Sequence, residues 1–91
     1  MKLTGKTTDQ KDVYGDVFLY VGTHGIPLEI VLGFIKNKQG VVDWLEYIQS
    51  SLNDGHKIRT IKAKILSAIG EVYGNSYKKE FEKRLNHHIL G

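Results

Sequence analysis

The stretch DVYGDVFLYVG, residues 12–22, decides whether this chain folds from helices alone. Its second half is β-branched and aromatic, which is typical of a buried strand. At helical spacing, the same residues also form one broad apolar face, so the pattern leaves both structures open. No second convincing strand is visible to pair with it, and an isolated strand cannot satisfy its backbone hydrogen bonds. We therefore expect a helix.

The flanking sequence extends this prediction to the whole chain. Residues 1–11 are polar and rich in Lys and Thr, so we expect a flexible N-terminal arm followed by a single helical domain at 12–91. Glycines and an Asn-Asp-Gly turn divide the rest of the chain into amphipathic segments. The sequence thus predicts an all-α fold, a compact bundle of four to five short helices at about 12–22, 27–38, 41–53, 56–73 and 76–90.

The segment 27–38 is expected at the centre of this bundle, because it is apolar on nearly every side. Pro27 suits the first helical position, where its missing N–H costs nothing. Gly33 lowers helix propensity by about 1 kcal/mol relative to alanine, which indicates a close helix contact at that point. Gly40 is expected to end the helix.

Composition excludes several classes of protein. The chain has 91 residues, 41% of them hydrophobic and 25% charged, which is ordinary for one globular domain. It has no cysteine, so disulfides, zinc–thiolate sites and cysteine nucleophiles are excluded. Neither a signal peptide nor a membrane-spanning apolar run is visible, and we expect a cytoplasmic protein with no membrane partner.

No catalytic centre, metal site or cofactor is predicted. His87 and His88 are adjacent and would point about 100° apart on a helix, so they cannot chelate one metal together. No glycine-rich phosphate loop occurs. An enzyme would have to use the only set that we would test, which is His24, Glu29 and Asp43.

A basic stretch is the candidate nucleic-acid-binding site. No acidic residue occurs between Gly55 and Gly70, and the formal charge of the chain is +3. On a helical wheel the cations fall largely along the two edges of the apolar stripe, where they could contact a phosphate backbone as two rails. A helix-turn-helix at 41–53 and 56–73, binding DNA, is an alternative. The candidate residues are Lys57, Arg59, Lys62 and Lys64.

Aromatic residues supply a competing interpretation. The chain has more aromatic side chains than a domain of four or five helices needs to bury, namely Tyr14, Tyr20, Phe34, Trp44, Tyr47 and Tyr73. Trp44, Tyr47 and Tyr73 are the candidate partner-binding residues. They would suit a homodimer or a protein-binding accessory or inhibitor, including one encoded by a phage and aimed at a host protein.

The sequence FLYVGTHGIPLEI, residues 18–30, resembles a segment of alanyl-tRNA synthetase. In that family a glycine and a valine-aspartate pair follow, as Gly40 and Val42-Asp43 do here, so the resemblance covers about residues 18–43. The family segment belongs to the helical region after the catalytic core, which takes part in recognising the tRNA acceptor stem. The family's catalytic motifs are absent, so the resemblance does not imply aminoacylation.

Together these observations predict a small non-enzymatic binding module that contacts tRNA or other RNA through a basic helix. The protein-binding and DNA-binding interpretations stay open at this point.

Overall fold

Within residues 1–89, the part of the chain that the computed structural model describes, a small three-stranded sheet is combined with a group of helices. The fold is therefore α+β. The strands are β1 (Lys2–Lys6), β2 (Asp12–Gly15) and β3 (Val41–Val42). The α-helices are α1 (Leu28–Asn37), α2 (Trp44–Asn53), α3 (Ile58–Tyr73) and α4 (Asn75–Arg84). Two π-helical segments lie at Leu19–Thr23 and Leu85–Ile89.

The sheet has the order β1-β2-β3 and is of mixed direction. β1 runs antiparallel to β2, with Leu3 opposite Tyr14, and a tight turn joins them. In that turn the Thr7 N–H donates to the Lys11 carbonyl at 2.9 Å. β3 runs parallel to β2. Parallel strands need a crossover connection, and α1 lies in the connection here.

The all-α prediction is wrong, because residues 12–15 form a strand and helical structure begins only at residue 17. The missing partner strand lies within the predicted flexible arm. All five residues of β1 are exposed, so β1 has no apolar alternation for a pattern to detect. β3 has only two residues. Residues 12–15 therefore form a strand because their backbone groups pair with β1 and β3, although no residue of β1 is buried.

The other predicted helices are present with shifted bounds. The segments 27–38, 41–53 and 56–73 correspond to α1, α2 and α3, and 76–90 corresponds to α4 together with the π-helical segment Leu85–Ile89. The largest shift of a start is in the second, which begins with β3 and becomes helical only after Asp43. The predicted end of the last one, residue 90, lies outside the described residues.

α2 begins with a capping motif that also holds the sheet. The Asp43 carboxylate accepts a hydrogen bond from the Glu46 N–H at 3.2 Å, as an N-cap does. Glu46 accepts in turn from the Asp16 N–H at 2.6 Å, just after β2 ends. Asp16 has a φ of 59°, so it turns the chain away from the strand in a left-handed conformation. The Glu46 side chain thus links the first turn of α2 to the end of β2.

α3 is the central helix of the protein, since it packs against α1, α2 and α4. Its Ile65 and the α1 residue Ile35 are fully buried. α4 runs back along α3, with Lys62 near Glu82 and the Lys78 side chain beside Gly70. The apolar core consists of Val17, Val21, Leu28, Val31, Leu32, Ile35, Val42, Tyr47, Ile48, Ile61, Ile65, Leu66, Ala68, Ile69, Phe81 and Leu85.

The C-terminus of α1 explains the position of Gly40. Gln39, with a φ of 58°, takes the left-handed position that glycine usually fills. The Gly40 N–H then donates to the Ile35 carbonyl at 3.0 Å. A Cβ on Gly40 would lie 2.4 Å from a ring carbon of Tyr14. Gly40 is therefore needed for close packing against β2, while Gln39 makes the turn.

This packing gives a prediction with an internal control. We expect Gly40→Ala to lower the free energy of unfolding by about 1–3 kcal/mol, because Tyr14 must move. A Cβ on Gly33 would meet no heavy atom within 4 Å outside its own helix turn, contrary to the close contact expected from the sequence. Gly33→Ala should therefore raise the free energy of unfolding by up to about 1 kcal/mol, through helix propensity. Urea unfolding measures both; two variants of equal stability would contradict the packing.

Candidate nucleic-acid interface

The first turn of α3 carries an uncompensated positive charge. Lys57 is its N-cap residue and makes no side-chain capping hydrogen bond, and the first turn contains no acidic residue. The first backbone N–H groups of a helix have no partner within it, and they form the positive end of the helix dipole. Residues 52–60 are all exposed. The start of α3 therefore presents both backbone donors and cationic side chains to solvent.

The four candidate cations of this stretch differ in exposure and in ion pairing. Lys57, Arg59 and Lys64 are exposed, and within residues 1–89 none of the three forms an ion pair. Lys62 is half-buried, and its Nζ lies 3.9 Å from a carboxylate oxygen of Glu82 on α4. Three of the four charges are therefore available to an anionic partner, and the fourth is turned toward the neighbouring helix.

The three available cations border a strip of short side chains. Helical geometry places Lys57 and Lys64 on one edge of the exposed face of α3, and Arg59 on the other. Lys64 borders Phe18 and Tyr47 on its edge. Between the edges lie Thr60, Ala63 and Ser67, all exposed. A phosphate backbone could therefore approach the helix closely between Arg59 on one edge and the two lysines on the other.

Acidic groups near this surface are few. Between Gly55 and Gly70 there is none in the sequence. Asp54 precedes the helix, and its carboxylate lies 3.4 Å from His56 Nε2. Glu71 lies on the last turns of α3, far along the helix from Lys57. Glu82 of α4 lies beside Lys62. The cations of α3 that have no ion-pair partner among the described residues are thus concentrated on its N-terminal half.

The predicted partner-binding residues separate into two groups. Tyr47 is only 2% exposed, and its ring packs edge-on against Phe18 and Trp44. Burial raises the pKa of its hydroxyl. Trp44 and Tyr73 are half-buried, and both line an open cleft. Two of the three side chains are therefore reachable from solvent.

We call this cleft the aromatic cleft. Trp44 and the β3 residues line it together with Tyr73, Tyr77 and Phe81 from the α3–α4 hairpin. The Tyr73 and Tyr77 rings are stacked, with centroids 4.6 Å apart, and Tyr77 stacks in turn on Phe81 at 6.4 Å. The full lining is Thr7, Leu32, Val41, Val42, Trp44, Ile69, Tyr73, Tyr77, Phe81 and Arg84.

Sequence reasoning had singled out neither Tyr77 nor Arg84 for this cleft. The signal that could have found the aromatic row is its spacing, since positions 73, 77 and 81 are each four apart. That row is interrupted by Gly74, which has a φ of 94° and separates α3 from α4. The Tyr73 and Tyr77 rings nevertheless stack across Gly74, so the aromatic row is continuous although its residues belong to two helices.

A second apolar surface lies on the other side of α1. We call it the apolar groove, with a volume of about 340 Å³. Ile30 and Phe34 are its most exposed members, at 62% and 51%. The groove is lined by Met1, Tyr20, Ile26, Ile30, Val31 and Phe34.

The three residues considered for an enzyme do not form a joint site. Asp43 caps α2, the His24 ring lies against Tyr20 with centroids 5.8 Å apart, and Glu29 lies in the first turn of α1. In the described part of the chain, no hydrogen bond or ion pair joins them, and no group of three potential metal ligands occurs. None of the helices described is long and apolar enough to cross a membrane.

Comparison with known proteins adds no relative. No protein-family model, curated protein or solved structure matches this chain at a significant level. The resemblance of residues 18–43 to alanyl-tRNA synthetase therefore stays a prediction.

Proposed function

We propose that this protein is a small non-enzymatic binding module that contacts RNA through the N-terminal half of α3. The observation that carries the proposal is the group of three exposed cations, Lys57, Arg59 and Lys64, without ion-pair partners among the described residues. Unpaired cations on a rigid helix are what phosphate contact requires. The uncapped start of α3 adds backbone donors for the same anion.

The shape of the surface favours contact with the phosphate backbone over reading of bases. Thr60, Ala63 and Ser67 between the cations are too short to reach far into a groove. Base reading commonly uses bidentate contacts from Arg or Lys to guanine and from Asn or Gln to adenine, and α3 carries no Asn or Gln. A DNA-reading helix-turn-helix would be expected to present such amide side chains on this face. Together with the family resemblance, this supports RNA as the partner.

The salt dependence of RNA binding tests the proposal. With three phosphate contacts, affinity for a structured RNA should fall roughly 20- to 40-fold between about 50 and about 200 mM salt. Fluorescence anisotropy of a labelled RNA hairpin measures this directly. A duplex DNA of the same length serves as the comparison, and tighter binding to one DNA sequence would support the helix-turn-helix instead. Binding that is absent at low salt, or insensitive to salt, would overturn the proposal.

A second candidate function is binding to a protein, which the apolar groove supports. Its exposed Ile30 and Phe34 lie beside Tyr20 and Ile26, and solvent-facing apolar clusters often mark protein interfaces. The occupant would be a second copy of the chain or a target protein. A monomer in analytical ultracentrifugation would count against the homodimer.

A further inference from the structure

The aromatic cleft has the dimensions of a site for one small group. Its volume is about 320 Å³, which is at the lower end of the roughly 300–1,000 Å³ typical of small-molecule sites. Leu32 and Ile69, which are almost fully buried, line its depth. Val42, Trp44 and Tyr77 with its stacked neighbours also line it, and Trp44 packs edge-on against Phe81 with ring centroids 5.6 Å apart. A flat apolar ring lying in the cleft would contact aromatic side chains and the core together.

The charge around the cleft selects an anionic ligand. Arg84 lines the cleft, and its guanidinium lies 5.8 Å from the ring centroids of both Tyr77 and Phe81. Within residues 1–89 it forms no ion pair, so its charge is available. Lys36 lies 5.1 Å from the centroid of Tyr73, at the adjoining edge of the aromatic row.

Among the described residues, no carboxylate lines the cleft. The acid that hydrogen bonding places next to it is Asp9, which accepts from the Thr7 hydroxyl. The Asp9 carboxylate also lies 3.9 Å from Lys11 Nζ, so a cation of the same turn offsets its charge. The groups that face a ligand in the cleft are therefore chiefly aromatic, aliphatic or cationic.

We propose that the aromatic cleft binds a nucleobase, with the phosphate of the same nucleotide held by Arg84. Stacking on tyrosine and tryptophan beside a cation is how proteins bind unpaired bases. The cleft and the cations of α3 belong to different helices, since Tyr77 and Arg84 are residues of α4. The inference rests on the proposed function in one respect: the base would belong to an unpaired nucleotide of the bound RNA. A free nucleotide has the same chemistry, and the experiment separates the two sources.

Trp44 is the single tryptophan of the chain and lines the cleft, so its fluorescence reports occupancy. We expect a saturable change on titration with AMP or with a short single-stranded oligoribonucleotide, measured with excitation at wavelengths that nucleotides do not absorb. Ribose 5-phosphate, which lacks the base, should cause no such change. The absence of a saturable change with both AMP and the oligoribonucleotide would overturn the proposal.

Three variants assign the effect to the cleft. Tyr77→Leu removes the stacking ring from an exposed position and should weaken binding at least about fivefold, the lower end of what stacking contributes. Arg84→Gln should weaken binding of AMP but not of adenosine, because only AMP carries the phosphate. Leu3→Ala, at an exposed apolar residue outside the cleft, is the control and should have no effect. Equal weakening by Leu3→Ala and Tyr77→Leu would contradict the assignment.

The same titrations separate this inference from the proposed function. If the base belongs to RNA, the oligoribonucleotide should bind far more tightly than AMP, and reversal of the α3 cations should remove that difference. If the cleft takes a free nucleotide, the two should bind alike and the α3 changes should have no effect. RNA binding with the predicted salt dependence, but without a Trp44 response, would leave the α3 proposal standing and overturn the cleft.

Discussion

Replacement of Ile65 by alanine is expected to lower the free energy of unfolding by about 2–5 kcal/mol. Ile65 is 0% exposed and lies in the middle of α3, the helix that packs against α1, α2 and α4. The change removes buried methyl groups and leaves a cavity that the surrounding helices can only partly fill. For a domain of this size, whose total stability is on the order of 5–9 kcal/mol, that is a large fraction.

Ile58→Ala is the matched control on the same helix. Ile58 is 44% exposed, so the same chemical change should lower the free energy of unfolding by about 1 kcal/mol or less. Urea denaturation followed by circular dichroism gives both values. Similar losses in the two variants would mean that α3 is not buried along the face described.

Reversal of the three available α3 cations should have the largest effect on RNA binding. In the variant Lys57→Glu/Arg59→Glu/Lys64→Glu, each change replaces an attraction to phosphate by a repulsion. We expect the affinity for RNA at low salt to fall on the order of 100-fold or more. The fold should persist, because acidic side chains near the start of a helix interact favourably with its dipole. Anisotropy measures binding, and circular dichroism checks the fold.

A control with equal charge change separates this surface from net charge. Lys2, Lys38 and Lys79 are exposed, lie outside α3 and form no ion pair within the described residues. Their joint change to Glu also takes the formal charge from +3 to −3, since each change removes two units. We expect a much smaller loss of affinity from this variant. Equal losses would show that RNA senses the total charge of the protein rather than the surface of α3.

The helices could be predicted from the sequence because their start and stop signals are local. Pro27 stands at the N-cap of α1, and the Asn53-Asp54-Gly55 turn separates α2 from α3. The sheet could not be predicted in this way. β1 has no buried face and β3 has two residues, so both depend on pairing with β2, a contact between distant positions.

The candidate site was partly predictable for the same reason. The sequence shows the acid-free stretch that contains Lys57, Arg59 and Lys64. The helical wheel points Arg59 outward but places Lys57 and Lys64 along an edge of the apolar stripe, so it does not by itself show that these two are exposed. The pairing of Lys62 with Glu82 depends on how α4 packs against α3, which a single wheel does not contain. The aromatic cleft likewise requires Trp44 and Tyr77 to meet across three elements.

The exposed strand β1 has a consequence for how this protein behaves at high concentration. It forms one edge of the sheet, with backbone groups available for pairing with another chain. Such edges favour aggregation unless charged side chains keep other strands away, and lysine is the residue most often used. Lys2 and Lys6 stand at the two ends of β1, and Lys6 is held 3.2 Å from Asp12 of the neighbouring strand. Part of the positive charge of this chain therefore protects a sheet edge and is not evidence for a nucleic-acid partner.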